Sequence, residues 1–166
     1  MPNIHKIVID TSPILSLIAG WGSLQPLQHL YQEVVVPFEV QQEILEGGSS
    51  DFGVTEFQAA SWLSRVDEPT AVQPFLRNSL DIGEAAVIQI AVDCAIGTVC
   101  IDEAVGRRVA RLNGLMLTGS IGILLRAKQR NPSMSVRSAI NNMLSKNIRL
   151  SQTVIDVALK QSGELS

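Results

Sequence analysis

Residues 6–19, KIVIDTSPILSLIA, carry the clearest structural pattern of this 166-residue chain. Residues 6–10 include three consecutive apolar residues before an aspartate, a pattern that predicts a buried strand. Thr11 or Ser12 then caps a helix whose first turn contains Pro13, a position where proline is tolerated. A buried strand followed directly by a helix is a βα unit, and repeated βα units build parallel sheets.

Strand and helix patterns continue to alternate along the chain, which favours a mostly parallel sheet. Further strands are predicted at Glu33–Val36, Ser64–Val66, Thr98–Ile101 and Leu115–Leu117. Further helices are predicted at 24–30, 37–46 with a stop at 47–50, 57–63, 81–95, 103–113 and from 120 onward, whereas 67–78 is interpreted as an irregular surface connection. The predicted fold class is α/β, a doubly wound three-layer α/β/α sandwich with many flanking helices.

The composition restricts the class of protein. The length of 166 residues suits one domain with a sizeable core. Only 17% of the residues are charged, against roughly 25% in an average soluble domain, so we expect a subunit interface. With a net charge of −3, any contact with nucleic acid requires a local basic patch. No stretch approaches the roughly 20 apolar residues of a membrane span, so the expected location is the cytoplasm.

The cysteines and histidines predict neither a zinc site nor a disulfide framework. Cys94 and Cys100 are too few and wrongly spaced for either, and both are expected to be reduced residues of the core. His5 and His29 have no ligand-like neighbours in the sequence, so we place neither in a metal site.

Four acidic residues form the candidate site. Asp10 and Asp102 end predicted strands, while Glu43 and Glu84 lie on predicted helices. In an open parallel sheet, the carboxyl ends of the strands line one crevice, where ligands bind. Carboxylates gathered in a crevice repel one another unless a cation joins them, and oxygen ligands of this kind suit Mg²⁺ or Mn²⁺.

A structural role is the alternative for each of these acids. Asp10 and Asp102 both precede a predicted helix, where an aspartate commonly caps free backbone NH groups. Glu43 lies on a helix face with other glutamates, which is typical of a solvated surface. Glu84 has capping-box spacing with Asp81, so Asp81 is left outside the predicted site. The four acids together favour a site more strongly than any of them alone.

Five segments of the chain, in this order, carry a resemblance to a known family. They are VIDTSPIL at 8–15, VPFEVQQEI at 36–44, LDIGEAA at 80–86, IDEA and RRVA within 101–110, and LTGSIGILLRAK at 117–128. These segments resemble the PIN domain superfamily of metal-dependent ribonucleases, in particular an uncharacterised PIN-like branch of bacteria and archaea. The resemblance implies a single PIN-like domain over 1–166, with a helical C-terminal extension at about 134–166 that departs from the commoner PIN toxins.

The resemblance also implies an activity and a set of partners. The matching acids would hold one or two Mg²⁺ or Mn²⁺ ions and hydrolyse phosphodiester bonds of single-stranded RNA. Asp10 and Asp102 would be the principal metal ligands, with Glu43 and Glu84 acting at longer range or through water. Relatives of this kind are homodimers, and some are the toxin of a toxin/antitoxin pair, so a homodimer and an antitoxin protein are the expected partners.

Further residues have secondary roles in this hypothesis. Thr11 and Ser12 would orient a ligand water, and Glu103 is either an additional ligand or a charge at a helix start. Asp93 is placed outside the site because it lies far along its helix. The candidate nucleic-acid-binding residues are three arginines of one predicted helix, for which a solvated helix face is the alternative: Arg107, Arg108 and Arg111.

Two other functions fit the sequence less well. The first is a catalytically inactive, dimeric PIN-like module that binds nucleic acid or another protein, which the apolar composition favours. The second is phosphotransfer through a nucleophilic Asp10. This chemistry usually needs a second acid two residues later, and the sequence has Ser12 there.

Overall fold

Five parallel strands form the central sheet in the computed structural model of the protein, which describes residues 6–47 and 51–165. Along the sheet their order is β3-β2-β1-β4-β5. The strands are β1 (Lys6–Ile9), β2 (Glu33–Val36), β3 (Ser64–Arg65), β4 (Thr98–Cys100) and β5 (Met116–Thr118). Strand β1 is central because Val8 pairs in register with Val35 of β2 on one side and with Val99 of β4 on the other.

Helices cover the sheet, ten of them within the described residues. They are α1 (Thr11–Trp21), α2 (Gln25–Gln28), α3 (Phe38–Glu46), α4 (Val54–Ala59), α5 (Pro74–Ser79), α6 (Ile82–Asp93), α7 (Ala104–Leu112), α8 (Ser120–Arg130), α9 (Val136–Ser145) and α10 (Gln152–Ser162). Ile7, Val8 and Ile9 of β1 are fully buried, as a central strand covered on both faces requires. The predicted three-layer α/β/α fold is confirmed.

Two predicted elements are wrong. The helix predicted at 57–63 is α4, which ends at Ala59 because the Arg65 guanidinium donates to the Phe57 carbonyl at 2.6 Å and to the Ala60 carbonyl at 3.2 Å. These carbonyls therefore have a partner from β3, which no local pattern reveals. The stretch predicted to be irregular at 67–78 contains α5, which starts with Pro74 at a position proline favours.

The two cysteines differ in burial. Cys100 is buried as expected, but Cys94 is exposed because it follows the last turn of α6 on the solvent side. Helix α3 ends at Glu46, in agreement with the predicted stop, although residues 48–50 and His5 lie outside the described residues.

Across the described ranges, none of the helices has both the length and the hydrophobicity needed to cross a bilayer.

Helices α9 and α10 pack on the rest of the molecule through specific contacts. The Asn142 side-chain amide donates to the Gly20 carbonyl at 3.0 Å, and a Cβ atom at position 20 would lie 3.0 Å from Met143 Cε. The small residue at position 20 thus allows α9 to approach α1 closely. After α10, the Glu164 carboxylate accepts hydrogen bonds from the backbone NH groups of Val136 and Arg137, which joins the two C-terminal helices.

Candidate active site

A small acidic cavity opens at the carboxyl end of β1. Its volume is about 180 Å³. Five carboxylates contribute to its lining, and among the described residues no Lys or Arg does. The full lining is Asp10, Thr11, Ser12, Glu43, Asp81, Glu84, Glu103 and Val105. Such a concentration of uncompensated acidic groups is unfavourable by itself and indicates a place for positive charge.

Asp10 is one of the buried acids of the cavity. It follows β1, its backbone NH donates to the Cys100 carbonyl at 3.1 Å, and only 5% of its surface is exposed. It occupies the N-cap position of α1, yet its side chain makes no cap hydrogen bond to that helix. Burial raises the pKa of Asp10 to about 8; the Thr11 backbone NH opposes this shift, and the charges of Glu84 and Asp81 add to it. A capping role therefore does not explain this residue.

Glu84 enters the same cavity from the first turn of α6. The predicted cap is present, because Asp81 Oδ1 accepts from the Glu84 backbone NH at 2.9 Å. The Glu84 side chain is 5% exposed, and its Oε2 atom is buried without a hydrogen-bond partner in the described part of the chain. Burial raises the pKa of Glu84 to about 7, and the nearby charges of Asp81, Glu103 and Glu43 raise it further.

Asp81 has two roles in the structure. It caps α6, as the sequence predicts, and it also lines the acidic cavity, which the sequence interpretation does not include. Its charge contributes to the raised pKa of both Asp10 and Glu84. One carboxylate oxygen is enough for a cap, so the two roles are compatible.

Glu43 lies at the exposed side of the cavity. The Thr11 hydroxyl donates to Glu43 Oε1 at 2.7 Å, which links α1 to α3 across the site. Ser12 is exposed and lines both the acidic cavity and the larger cleft beside it. Glu103 holds the N-cap position of α7 without making a side-chain cap bond there, and it too lines both spaces.

Three glycines provide space for the carboxylates, a feature that sequence reasoning missed. A Cβ atom at Gly83 would lie 3.0 Å from Glu43 Oε1 and 3.4 Å from Asp10 Oδ1. A Cβ atom at Gly106 would lie 3.0 Å from Glu84 Oε2, and at Gly119 it would lie 2.7 Å from Asp102 Oδ1. Gly83 is adjacent to Glu84 in the sequence, which was a local signal, whereas Gly106 and Gly119 have no acidic neighbour in the sequence.

Asp102 occupies a different environment from the other predicted acids. It lines the adjacent cleft of about 850 Å³, and it is not among the residues lining the acidic cavity. Ser120 donates to it twice, from the backbone NH to Oδ1 at 2.8 Å and from the hydroxyl to Oδ2 at 3.0 Å. Burial raises the pKa of Asp102, although Ser120 and the charge of Arg107 oppose the shift. The structure thus brings Asp10, Glu43 and Glu84 together and places Asp102 beside them.

The three arginines of the predicted basic patch do not lie together at the site. Arg107 lines the cleft, and its Nη1 donates to the carbonyls of Ile101 at 2.7 Å and Thr118 at 3.2 Å. Arg108 and Arg111 are exposed and line neither space. A cation that sequence reasoning missed, Arg149, lines the cleft instead. It had no local signal, because it stands alone between two helices.

The donor chemistry of the acidic cavity fits a Mg²⁺ or Mn²⁺ ion. Within the described ranges, no three or more His, Cys, Asp or Glu side chains are arranged to hold a metal ion. Magnesium does not require such a cage, because it keeps several waters and is usually bound through one or two carboxylates plus substrate phosphates. The unpartnered Oε2 of Glu84 and the buried carboxyl of Asp10 supply oxygen donors of this kind.

Comparison with known proteins agrees with the fold. The family model DUF3368, described as a PIN domain, matches residues 6–164. The chain therefore belongs to the PIN-domain family, which confirms the resemblance inferred from its sequence motifs and gives it a nuclease-type fold. No curated protein matches the chain.

Proposed function

We propose that this protein is a metal-dependent endoribonuclease that hydrolyses phosphodiester bonds of RNA at the acidic cavity. The single observation that carries the proposal is Glu84 Oε2, which is buried beside four other carboxylates without a partner among the described residues. Leaving a buried charged oxygen unpartnered is costly, and such cost is typical of functional sites. A divalent cation is the ligand that best removes this cost.

The proposed roles follow from the contacts of each residue. Asp10 and Glu84 would hold Mg²⁺ or Mn²⁺, which when bound lowers the pKa of water and neutralises charge on the phosphate. Because burial raises the pKa of Asp10 to about 8, its carboxyl would have to release a proton in order to hold a cation near neutral pH. The Thr11 hydroxyl orients Glu43 through Oε1, which leaves the second oxygen of this exposed carboxylate to accept a proton from the attacking water.

Asp102 keeps a catalytic role in this proposal. Strands β1 and β4 are neighbours in the sheet, so Asp10 and Asp102 follow adjacent strand ends. Asp102 also anchors the start of α8 through Ser120. We propose that it faces the RNA between the cavity and the cleft, with Glu103 and Ser12, which line both.

Cleavage of RNA tests the proposal directly. Wild-type protein is incubated with a mixed pool of single-stranded RNA in the presence of Mg²⁺, Mn²⁺ or EDTA, alongside folded Asp10→Asn and Asp102→Asn variants purified identically. We expect cleavage only with a divalent ion and only by the wild type. Equal cleavage by all three proteins identifies a contaminant, and absence of cleavage by the wild type overturns the general nuclease proposal.

We also propose the cellular setting. In this proposal the chain is a single domain over 1–166 that acts in the cytoplasm as the toxin of a toxin/antitoxin pair. Expression of the protein alone would then arrest growth. Co-expression of a small protein encoded next to it would restore growth. Expression of wild type and Asp10→Asn in a heterologous bacterium separates toxicity that needs the acidic cavity from toxicity of overexpression.

A non-catalytic dimeric module is the second candidate, and an exposed apolar patch favours it. Leu112 at the end of α7 is 81% exposed, and Met116 in the edge strand β5 is 70% exposed. The two residues stand four positions apart in the sequence, on consecutive elements, and contiguous exposed apolar residues are typical of an interface. Light scattering of the wild type and a Leu112→Asp variant distinguishes a dimer through this patch from a monomer. A dimer without RNA cleavage would favour this second function.

A further inference from the structure

The 850 Å³ cleft beside the acidic cavity has a role in the proposed chemistry only at its edge, through Asp102, Glu103 and Ser12. Its volume lies in the usual range for small-molecule and cofactor sites. Four parts of the molecule form its walls: the start of α1, the turn from β4 into α7, the turn from β5 into α8, and the connection from α9 to α10. Ser12 and Glu103 line both spaces, so the cleft is continuous with the proposed catalytic cavity.

The C-terminal wall of the cleft is a short, well-anchored connection. Asn147 adopts the left-handed conformation with a φ of 66°, and its NH donates to the Leu144 carbonyl at 3.1 Å. The Ile148 NH donates to the Met143 carbonyl at 3.0 Å, which completes a Schellman motif at the end of α9. Ser151 caps α10 by accepting from the Val154 NH at 3.1 Å. The connection is thus held at both ends.

Arg149 lies in the middle of this connection. It is exposed, lines the cleft, and has no hydrogen bond or ion pair with any described residue. The cleft also contains Arg107, whereas both oxygens of Asp102 are occupied by Ser120. Arg149 therefore offers an unpaired positive charge close to the acidic cavity. This arrangement suits an anionic ligand that extends from the cleft into the acidic cavity.

The remaining lining suits a nucleotide better than a simple anion. Ser12, Thr118 and Asn147 provide side chains that donate or accept hydrogen bonds, as the sugar and base edges of RNA require. Aliphatic side chains cover much of the remaining wall and offer a surface for the flat face of a base: Leu15, Leu117, Ile121, Ile148, Leu150 and Val154.

We propose that this cleft binds a nucleotide of the RNA substrate next to the scissile phosphate, and that Arg149 contacts the phosphate of that nucleotide. The inference rests on the proposed function, because it takes the acidic cavity as the place of cleavage. The α9–α10 connection then acts as a substrate-binding wall, and Arg149 is a positioning residue for the phosphodiester that is cut.

Binding of a fluorescently labelled, mixed-sequence 12-nucleotide single-stranded RNA, measured by anisotropy in EDTA, tests the cleft without cleavage. We expect Arg149→Gln to raise the Kd about 3- to 10-fold. The slope of log K against log salt should fall in magnitude by about 0.7, the value for one lost phosphate contact to a single strand. Lys160→Gln, which removes one charge from α10 outside the cleft lining, is the matched control and should retain the wild-type slope.

A second variant, Val154→Glu, distinguishes a loss of RNA binding from a loss of folding. Val154 is 40% exposed and stands three residues after the Ser151 cap, so Val154→Glu completes a capping box while adding a negative charge to the cleft. We expect unchanged or raised thermal stability and a Kd at least about 10-fold higher. Wild-type affinity in both Arg149→Gln and Val154→Glu, or no RNA binding by the wild type, overturns the proposal.

Cleavage measured in parallel separates this inference from the proposed function. If the wild type cleaves RNA and both cleft variants bind and cleave as it does, the acidic cavity is a nuclease site and the cleft inference fails. If RNA binds through Arg149 but is not cleaved with Mg²⁺ or Mn²⁺, the proposed activity fails and the cleft remains an RNA site. In an active enzyme, the cleft variants should raise KM more than they lower kcat.

Discussion

Two regions of this protein use buried or half-buried carboxylates in opposite ways. At the C-terminus, Glu164 accepts hydrogen bonds from Ser135, Val136 and Arg137 and pairs with Lys128 at 3.3 Å. Partial burial opposes ionisation there, but together these donors lower the pKa of Glu164 to about 2. In the acidic cavity, burial of Asp10 raises its pKa to about 8.

The difference lies in what surrounds the charge. The C-terminal carboxylate meets NH, OH and ammonium donors, so its ionised form is stabilised by folding. Asp10 and Glu84 meet other carboxylates and an apolar interior, and Glu84 Oε2 has no partner in the described part of the chain. A carboxylate with hydrogen-bond donors around it stabilises the fold. A cluster of carboxylates without such partners destabilises the fold, and such clusters are typical of functional sites.

Replacing Asp10 by Asn should give the largest effect and the sharpest contrast. Nuclease activity should fall at least about 100-fold because a metal ligand is lost. The metal-free protein should become more stable at pH 7, by about 1–3 kcal/mol, because a poorly solvated acid is removed. Enzyme assays and urea unfolding in EDTA measure the two quantities. Lower stability together with full activity would contradict both roles.

The wild type and Asp10→Asn should also differ in how their unfolding free energies depend on pH. The pKa of Asp10 is 3.8 ordinarily and about 8 in the folded protein, so its penalty is absent below pH 3.8 and grows as the pH rises toward 8. The unfolding free energy of the metal-free wild type should therefore decline over this range more steeply than that of Asp10→Asn. Parallel curves would show that Asp10 ionises normally.

Replacing Gly83 by Ala tests whether the space between the carboxylates matters. The new Cβ would lie 3.0 Å from Glu43 Oε1 and 3.4 Å from Asp10 Oδ1, so the carboxylates must move apart. Mn²⁺ affinity, measured by calorimetry, should fall about 10- to 100-fold. Gly97→Ala, whose Cβ would meet nothing within 4 Å, is the matched control. Equal Mn²⁺ affinities in the two variants would exclude the steric argument.

Replacing Glu164 by Gln should have the opposite consequence to Asp10→Asn. Stability at pH 7 should fall by about 1–2 kcal/mol, since charge-assisted hydrogen bonds to α9 are weakened. Nuclease activity should be unchanged. The pKa is lowered from 4.5 to about 2, so the contribution is present above pH 4.5 and is lost as the pH falls toward 2. Thermal unfolding of this variant and of Glu68→Gln, an exposed control, checks the prediction.

Replacing Ser120 by Ala should give the smallest effect. It tests whether Asp102 resembles the hydrogen-bonded Glu164 or the unpartnered acids of the cavity. Asp102 Oδ2 would lose the Ser120 hydroxyl, while Oδ1 would keep the backbone NH. We expect a loss of about 1 kcal/mol in urea unfolding. A gain in stability would instead place Asp102 with the unsatisfied acids of the cavity.

The sequence predicted the fold well where the patterns were local. The apolar run of β1, the cap at Asp81 and the glycine-free apolar strands β2 and β4 all follow from neighbouring residues. The end of α4 could not be predicted, because it depends on Arg65 reaching back from β3. Local periodicity has no access to such a contact.

The candidate site shows the same limit. The chemistry of its acids was apparent from the sequence, and Asp10, Glu43 and Glu84 do line one cavity. The sequence does not reveal that Asp81 lines this cavity in addition to capping α6, or that Asp102 lines the adjacent cleft and accepts two hydrogen bonds from Ser120. Both outcomes depend on the direction of a side chain after a strand or helix end, which packing decides.

The order of the βα units, the PIN-domain family and the acidic character of the candidate site follow from the amino-acid sequence, because strand and helix periodicities and short motifs involve residues close together in the chain. Packing alone establishes which carboxylates lack partners, which glycines make room for them, and that Arg149 from the C-terminal connection lines the same cleft as residues of α1 and α8. These properties arise between residues far apart in sequence, where burial and hydrogen bonding depend on the packed fold.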